Sequence, residues 1–286
     1  MRITATNDMR RIGGILELAV LRSRKKALDC RVLADGREII FKTEYAKDFV
    51  PGEIIRIAAE KFWAYAGQEN VSGKIHESRI DAKALGLVPL VLNQNGIWDP
   101  LDMDWGEEGP TIEEWTMMLP VSARGIRLRY EMEQVIPGAG PDDDFDPIIE
   151  SNMLKDQGDA EGAKDILMEL CTQDIRCLDA HAHLGNLMFS RNPELAVKHY
   201  QVGLLIGELS LGSEFDGLLP WVLIDNRPFL RCLHGYGLGR WKMGGFKEAE
   251  AIFLRMLLLN PTDNQGARLL IDRVKNKLPW RDYIVR

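Results

Sequence analysis

Histidine and cysteine residues are concentrated in one short stretch of the chain, where they suggest a metal site. His181 and His183 lie two residues apart, Cys177 precedes them and His199 follows. If the stretch is helical, side chains two residues apart point to nearly opposite sides, so both imidazoles cannot easily bind one ion. We therefore interpret these residues as structural, and expect neither a metal nor any other cofactor.

Three glycines at alternate positions suggest a second kind of site, a glycine-rich loop that binds the phosphates of a nucleotide. Gly235, Gly237 and Gly239 resemble a phosphate-binding loop, but such a loop follows a strand within a βαβ unit. Because the surrounding residues repeat with helical spacing, we interpret these glycines as points of close helix packing. The chain also lacks the G-x-S-x-G, P-loop and H-E-x-x-H patterns, so no catalytic residue is assigned. A hydrolase without a recognisable motif stays open as an enzymatic alternative.

The composition is that of a globular protein, with 286 residues of which 45% are hydrophobic and 28% charged. At roughly 150 residues per domain, this length predicts two domains. No apolar run reaches the roughly 18 residues of a membrane helix. The four cysteines are scattered without a C-x-x-C pair, so we expect a cytoplasmic protein with reduced thiols and no membrane partner. The net charge is +3 over residues 1–100 and −10 over residues 101–286, which favours two units with different partners.

Residues 1–95 are predicted to form a small α+β domain. Apolar residues at helical spacing predict an amphipathic helix over residues 8–27. Asp35-Gly36, between two β-rich runs, predicts a two-residue hairpin. The expected fold is a small, strongly curved sheet or barrel that follows an N-terminal helix. The residues that set the helical spacing are Ile12, Ile15, Leu16, Ala19 and Val20. The predicted strands cover residues 29–33, 37–43, 53–59, 62–66, 71–75 and 85–92.

Aromatic and basic residues in this domain suggest a nucleic-acid surface. Lys61, Trp63, Tyr65 and Lys74 are of the types with which small barrels stack and bind single-stranded nucleic acid. Trp63 and Tyr65, two apart on one strand, would serve equally well as core residues, and we favour the core. An RNA-associated factor that uses this surface is the alternative function.

Residues 96–146 are predicted to form a proline-rich, acidic bridge between two domains. Within it, residues 126–132 alternate apolar and charged side chains and can add one more strand to the first domain. An acidic run ends at Asp146, directly before Pro147. The spacing of this run does not fit a calcium loop, whereas an aspartate before a proline is typical of a helix N-terminus. We therefore expect a helix to begin here.

From residue 147 onward the apolar spacing is helical and the sequence repeats. The last repeat matches the 34-residue tetratricopeptide pattern at five positions. The five matching residues are Leu233, Gly237, Ala249, Phe253 and Pro261. In two earlier repeats the corresponding places are taken by Ala196 with Tyr200 and by Ala163 with Leu167. The spacing of these repeats leaves residues 207–225 as an apolar insertion, either a lid over a groove or, as we favour, a segment that docks against the N-terminal domain.

Residues 147–277 therefore resemble the tetratricopeptide-repeat (TPR-like) superfamily. They are also similar to uncharacterised bacterial cytoplasmic repeat proteins and, distantly, to the suppressor-of-tumorigenicity-7 family. The resemblance implies that residues 147–286 form an all-α solenoid of helical hairpins with a closing helix. The expected hairpins lie near residues 147–173, 177–207 and 226–260, and the closing helix covers residues 264–277 with Asp263 or Thr262 as its cap.

The resemblance also implies a concave groove, lined by the first helix of each hairpin, that holds a peptide or a partner helix. The groove residues carried over to this chain are Asn152, Lys155, Asn186, Phe189, Arg231, His234, Trp241 and Lys242. Arg231, Trp241 and Lys242 favour an acidic or mixed peptide, because arginine forks carboxylates and tryptophan anchors interfaces. Packing of Trp241 between helices is an equal alternative. We expect a non-enzymatic protein-interaction adaptor, a scaffold whose partner and oligomeric state the sequence does not specify.

Overall fold

A computed structural model describes residues 13–100, 124–139 and 146–281 of the chain. By their contacts the residues group into two compact units, each built from two chain segments. Unit 1 comprises Met1–Val88 with Ile136–Leu184, and unit 2 comprises Pro89–Val135 with Gly185–Arg286. The domain boundaries predicted at residues 95 and 146 remain a prediction. Among the described residues, none of the helices has the length and apolar character required to cross a bilayer.

A closed five-stranded barrel forms the first part of unit 1, which confirms the predicted small barrel. Its strand order is β1-β2-β3-β5-β4; all neighbouring pairs are antiparallel except β3 and β5, which are parallel. The core is filled by aliphatic side chains, Cys30 and Phe41, with Phe49 and Phe62 packed against it. The strands are β1 (Ile15–Ser23), β2 (Ala27–Val32), β3 (Glu38–Lys42), β4 (Glu53–Tyr65) and β5 (Gln68–Ile80).

The predicted helix over residues 8–27 is wrong, because residues 15–23 form β1. Leu16, Leu18 and Val20 point into the barrel core, as the two-residue period of a strand requires. Ala19, on the opposite face, packs with Leu85 in a second buried cluster. A strand buried on both faces has no alternation of apolar and polar residues, so its sequence imitated the spacing of a helix.

Two turns of the barrel differ from the predicted ones. The loop between β2 and β3 is longer than two residues: Gly36 N donates to Val32 O and Val32 N donates to Arg37 O. Gly36 alone supplies a positive φ there, of 76°. The tight two-residue turn lies instead between β4 and β5, at Ala66 and Gly67, both with the positive φ of a type I′ turn.

A separate two-stranded sheet belongs to unit 2. It pairs β6 (Leu92–Trp98) with β7 (Arg127–Met132) in antiparallel orientation. The strand predicted over residues 85–92 is wrong, and β6 instead begins at Leu92 and runs through residues 93–96. A strand was correctly expected near residues 126–132, but it pairs with β6 and not with the barrel. The register with β7 is interrupted between Gln94 and Ile97, and Gly96 there has a positive φ of 84°, so a bulge accommodates the local turn preference of the Asn-Gln-Asn-Gly sequence.

Seven α-helices follow in residues 146–281, and with the barrel they confirm the α+β class. The predicted helix start is confirmed, because Asp146 Oδ1 accepts a hydrogen bond from Ile148 N at 2.8 Å. Asp263 accepts from Ala267 N and Arg268 N, although the last helix begins three residues later than expected. The helices are α1 (Pro147–Asp156), α2 (Ala160–Gln173), α3 (Leu178–Met188), α4 (Pro193–Leu211), α5 (Arg227–Lys242), α6 (Phe246–Leu259) and α7 (Ala267–Lys275).

The insertion is shorter than predicted, because α4 continues to Leu211 and only residues 212–223 lie outside regular helix. Within unit 2 this segment is attached to β7. Leu218 forms a parallel bridge with Arg129. The guanidinium of Arg127 donates to three backbone carbonyls, those of residues 216, 217 and 258, at 2.7–2.9 Å. The bridge at Leu218 and the hydrogen bonds from Arg127 thereby hold the segment next to β7.

Candidate functional site

One face of α5 carries a row of half-buried side chains at the spacing of successive helical turns. The row consists of Arg227, Arg231, His234, Leu238 and Lys242, which we call the α5 face. The flanks of this row are buried against neighbouring helices of unit 2. The α5 face is therefore partly accessible, as are Tyr236 and Arg240 on the opposite side of the helix.

The N-terminal end of the α5 face is bordered by the half-buried Trp221 from the insertion. The guanidinium carbons of Arg227 and Arg231 lie 5.3 and 5.8 Å from the centroid of its ring, within the range of cation–π attraction. Arg227 Nε also donates to Trp221 O at 3.0 Å. Two cations and an indole thus form one cluster, which the sequence did not reveal because Trp221 lies outside the repeat.

The C-terminal end of the α5 face is bordered by Phe189. Lys242 Nζ lies 4.7 Å from the centroid of the Phe189 ring and donates to Phe189 O at 2.8 Å. These two predicted groove residues do lie together. The aromatic ring and the carbonyl oxygen of Phe189 together hold the Lys242 ammonium group in place.

Trp241 does not line an open surface, and its assignment to the groove requires correction. Its side chain is only 1% exposed, and its Nε1 donates to Leu278 O at 2.7 Å. Its ring meets the ring of Trp280 edge-on, with the centroids 5.1 Å apart. Trp241 lies beside His234 and Leu238 on the helix, but Leu278 and Trp280 cover it, so we interpret it as a packing residue.

His234, in the middle of the α5 face, is uncharged at neutral pH. Burial lowers its pKa to about 4. Its ring approaches that of Phe253 in an edge-on geometry, with the centroids 6.4 Å apart. The face therefore presents cations at both ends, with Leu238 and a neutral imidazole between them.

The remaining predicted groove residues are described within their own units. In unit 2, Asn186 is exposed, and its Oδ1 accepts a hydrogen bond from Tyr200 Oη at 2.7 Å. In unit 1, Lys155 Nζ lies 3.5 Å from Asn152 Oδ1 and 3.7 Å from a carboxylate oxygen of Asp156. Asn186 is thus engaged in packing α3 against α4.

The predicted nucleic-acid residues lie together on the outside of the barrel. Lys61, Trp63 and Tyr65 alternate along β4, and the cross-strand register puts Lys74 of β5 on the same face. Tyr65 is 76% exposed, and Lys61 Nζ lies 5.6 Å from the centroid of the half-buried Trp63 ring. The favoured interpretation of Trp63 and Tyr65 as core residues is wrong, because the bulge in β4 turns Phe62 toward the core instead.

The histidine and cysteine stretch does not assemble a metal site within the described residues. No group of three His, Cys, Asp or Glu side chains comes together there in a geometry that could hold an ion. His181 is completely buried, which lowers its pKa to about 4, and His183 Nε2 lies 3.6 Å from Asp179 Oδ1. The thiol of Cys177 is also buried, which raises its pKa to about 12, so it is not a nucleophile at neutral pH.

A pocket of about 320 Å³ in unit 1 lies between β1 and the C-terminal end of α2. Its charged lining residues are Arg31 and Asp174. Arg31 Nη2 donates to Leu85 O at 3.0 Å, and Asp174 receives the guanidinium of Arg176 on both carboxylate oxygens. Burial alone would raise the pKa of Asp174, but the hydrogen bonds from Arg176 hold it below its usual value. This carboxylate is a stabilised anion, and the pocket offers no evident acid–base pair.

The three alternate glycines lie inside α5, each against a bulky side chain. A Cβ atom on Gly235 would lie 2.2 Å from the Tyr200 ring, one on Gly237 2.6 Å from Phe253, and one on Gly239 2.4 Å from Val197. Close helix packing, as predicted, is therefore what these glycines provide.

No protein-family model matches the chain, and no curated protein matches it.

Proposed function

We propose that the chain is a non-enzymatic adaptor that binds a segment of another protein along the α5 face. The TPR-like interpretation of the helices belongs to this proposal. The observation that carries it is the α5 face itself, a partly accessible row with cations at both ends and apolar or neutral side chains between them. Residues 101–286 have a net charge of −10, so a cluster of cations on one helix stands out from its surroundings. We expect the partner segment to be acidic at its ends and apolar in the middle.

Capture of the partner tests this function. The tagged full-length chain is purified from its source cells, with and without RNase, as wild type and as Arg231→Glu and Lys242→Glu variants. Reversal of either charge is expected to reduce the captured partner by about tenfold, because it replaces an attraction by a repulsion at the contact. Lys247→Glu is the matched control, since Lys247 is exposed on α6 outside the α5 face. If all variants retain the partner at the wild-type level, the α5 face is not the binding surface.

The second candidate is an RNA-associated factor, which the shared outer face of Lys61, Trp63, Tyr65 and Lys74 supports. The test is binding of a labelled single-stranded RNA at low salt, measured by anisotropy. Replacement of Tyr65 by serine is expected to weaken binding at least about fivefold, since stacking on one base contributes roughly 1–3 kcal/mol. Tyr45→Ser is the control, because Tyr45 is also highly exposed, at 68%, and lies outside this group. Equal binding by both variants, or none by the wild type, would exclude this function.

A further inference from the structure

Residues after α7 fold back toward the C-terminal end of the α5 face. The helix ends at Lys275, and Lys277 adopts a left-handed conformation with φ of 52°. The turn is closed by two backbone hydrogen bonds, from Lys277 N to Val274 O and from Leu278 N to Arg273 O, both 3.0 Å long. A left-handed conformation costs a non-glycine residue roughly 1–2 kcal/mol. These two hydrogen bonds form a C-cap that offsets the cost, and contacts of the residues that follow fix the direction of the chain after the turn.

Those contacts are made with an aromatic slot in unit 2 formed by Phe189, Trp241 and Lys242. The Trp280 ring stands edge-on to both aromatic walls, with centroid distances of 5.1 Å to Trp241 and 5.6 Å to Phe189. Lys242 lies over the Phe189 ring. The slot also donates one directed hydrogen bond, from Trp241 Nε1 to Leu278 O. The slot thus binds two features of a short segment: the backbone carbonyl of Leu278 and the aromatic side chain of Trp280, two residues further along the chain.

The segment in the slot remains near the surface. Leu278 is 39% exposed, residue 279 is exposed and Trp280 is half-buried. A segment in which one side chain is inserted and its neighbours stay in solvent resembles a bound peptide more than a buried part of the core. The slot is also continuous with the α5 face, because Lys242 belongs to both.

We propose that this slot is the anchor site for a tryptophan-bearing segment of the partner, and that residues 278–280 are its intramolecular occupant. This inference rests on the proposed function and specifies the chemistry of its partner. A matching partner segment presents a backbone carbonyl two residues before a tryptophan, with acidic residues toward Arg231. Because a short tether gives the occupant an effective concentration on the order of millimolar, it weakens the apparent affinity for any competing segment. The partner must displace Trp280 before it can bind fully.

The test uses the full-length chain and a fluorescein-labelled peptide with the sequence of residues 276–286. The peptide is expected to bind a Trp280→Ala chain at least about tenfold more tightly than the wild-type chain, whose own segment competes. The same peptide with its tryptophan replaced by alanine is the control and is expected not to bind. Adding Phe189→Ala to the Trp280→Ala chain is expected to abolish binding of the native peptide. Equal affinity for wild-type and Trp280→Ala chains, or no binding to either, would overturn the proposal.

A measurement on the wild-type chain covers the case in which Trp280→Ala does not fold. The rate of hydrogen exchange at the Trp241 indole N–H measures how often its hydrogen bond to Leu278 O breaks. A displaceable segment predicts exchange through local opening, with a protection factor at least about 100-fold below that of the slowest amides. Protection equal to that of the slowest amides would mean that the segment is a fixed part of unit 2, which contradicts the proposal. Both readouts need no partner, so they are independent of the capture experiment.

Discussion

Replacement of Gly235 by alanine is expected to destabilise the protein by roughly 2–3 kcal/mol, the cost of overpacking a core. The Tyr200 ring fills the space on that side of α5, and a Cβ atom on Gly235 would lie 2.2 Å from it. The ring cannot retreat, because a Cβ atom on Gly185, across the ring, would lie 2.4 Å away, and Tyr200 Oη is bonded to Asn186. Urea unfolding followed by tryptophan fluorescence measures the effect.

A matched control and a second-site variant make this prediction specific. Gly125→Ala introduces the same methyl group in unit 2, where no atom of the described residues lies within 4 Å of the added Cβ, and is expected to change stability by less than about 0.5 kcal/mol. Tyr200→Val removes the ring that the methyl group strikes. The double variant Gly235→Ala/Tyr200→Val should therefore be more stable than additivity predicts. Strict additivity would show that the two residues do not constrain each other.

The second large loss of stability is expected on replacement of Asn226, whose side chain joins the start of α5 to β7. Its side chain is completely buried; Oδ1 accepts from Met132 N, and Nδ2 donates to Tyr130 O and Pro220 O. Asn226→Asp keeps the shape and the acceptor but removes both donors, which leaves a carboxylate facing two carbonyl oxygens. We expect a loss of roughly 3 kcal/mol, since each buried group left without a partner costs about 1–3 kcal/mol.

Asn93→Asp is the control for that substitution, because Asn93 undergoes the same chemical change on an exposed position of β6. Thermal melting at neutral pH compares the two variants with the wild type. The Asn93 variant is expected to melt within about 2 °C of the wild type. A similarly small shift for Asn226→Asp would mean that the amide does not hold the β6–β7 sheet to the helices.

Local signals in the sequence predicted the helices well and the first strand badly. The Asp146-Pro147 start and the small residues at helix contacts are properties of neighbouring residues, so they can be read from the sequence. β1 cannot be recognised from neighbouring residues in this way, because Ala19 is buried outside the barrel while Leu18 is buried inside it. The identity of its partners on both faces is a tertiary property that its own sequence does not encode.

The candidate site was likewise only partly predictable. The resemblance to the TPR-like superfamily implied Arg231, His234 and Lys242 as groove residues, and they do share one face because all three lie on a single helix. Trp221 and Trp280 lie outside the repeat, and they reach the two ends of the α5 face through an irregular segment and a left-handed turn. Trp241 was misplaced for the same reason, since what covers it comes from beyond the last helix.

Photo-crosslinking from the centre of the α5 face shows whether a partner protein binds there. Leu238 is replaced by benzoylphenylalanine in the tagged full-length chain, which is irradiated in its source cells and analysed by mass spectrometry. The same amino acid at Ala251, exposed on α6, is the control. We expect a partner protein to crosslink to position 238 but not to position 251, and the crosslink to be lost when Arg231→Glu is added. Crosslinks from position 251 alone, or from neither position while a partner still co-purifies, would contradict it.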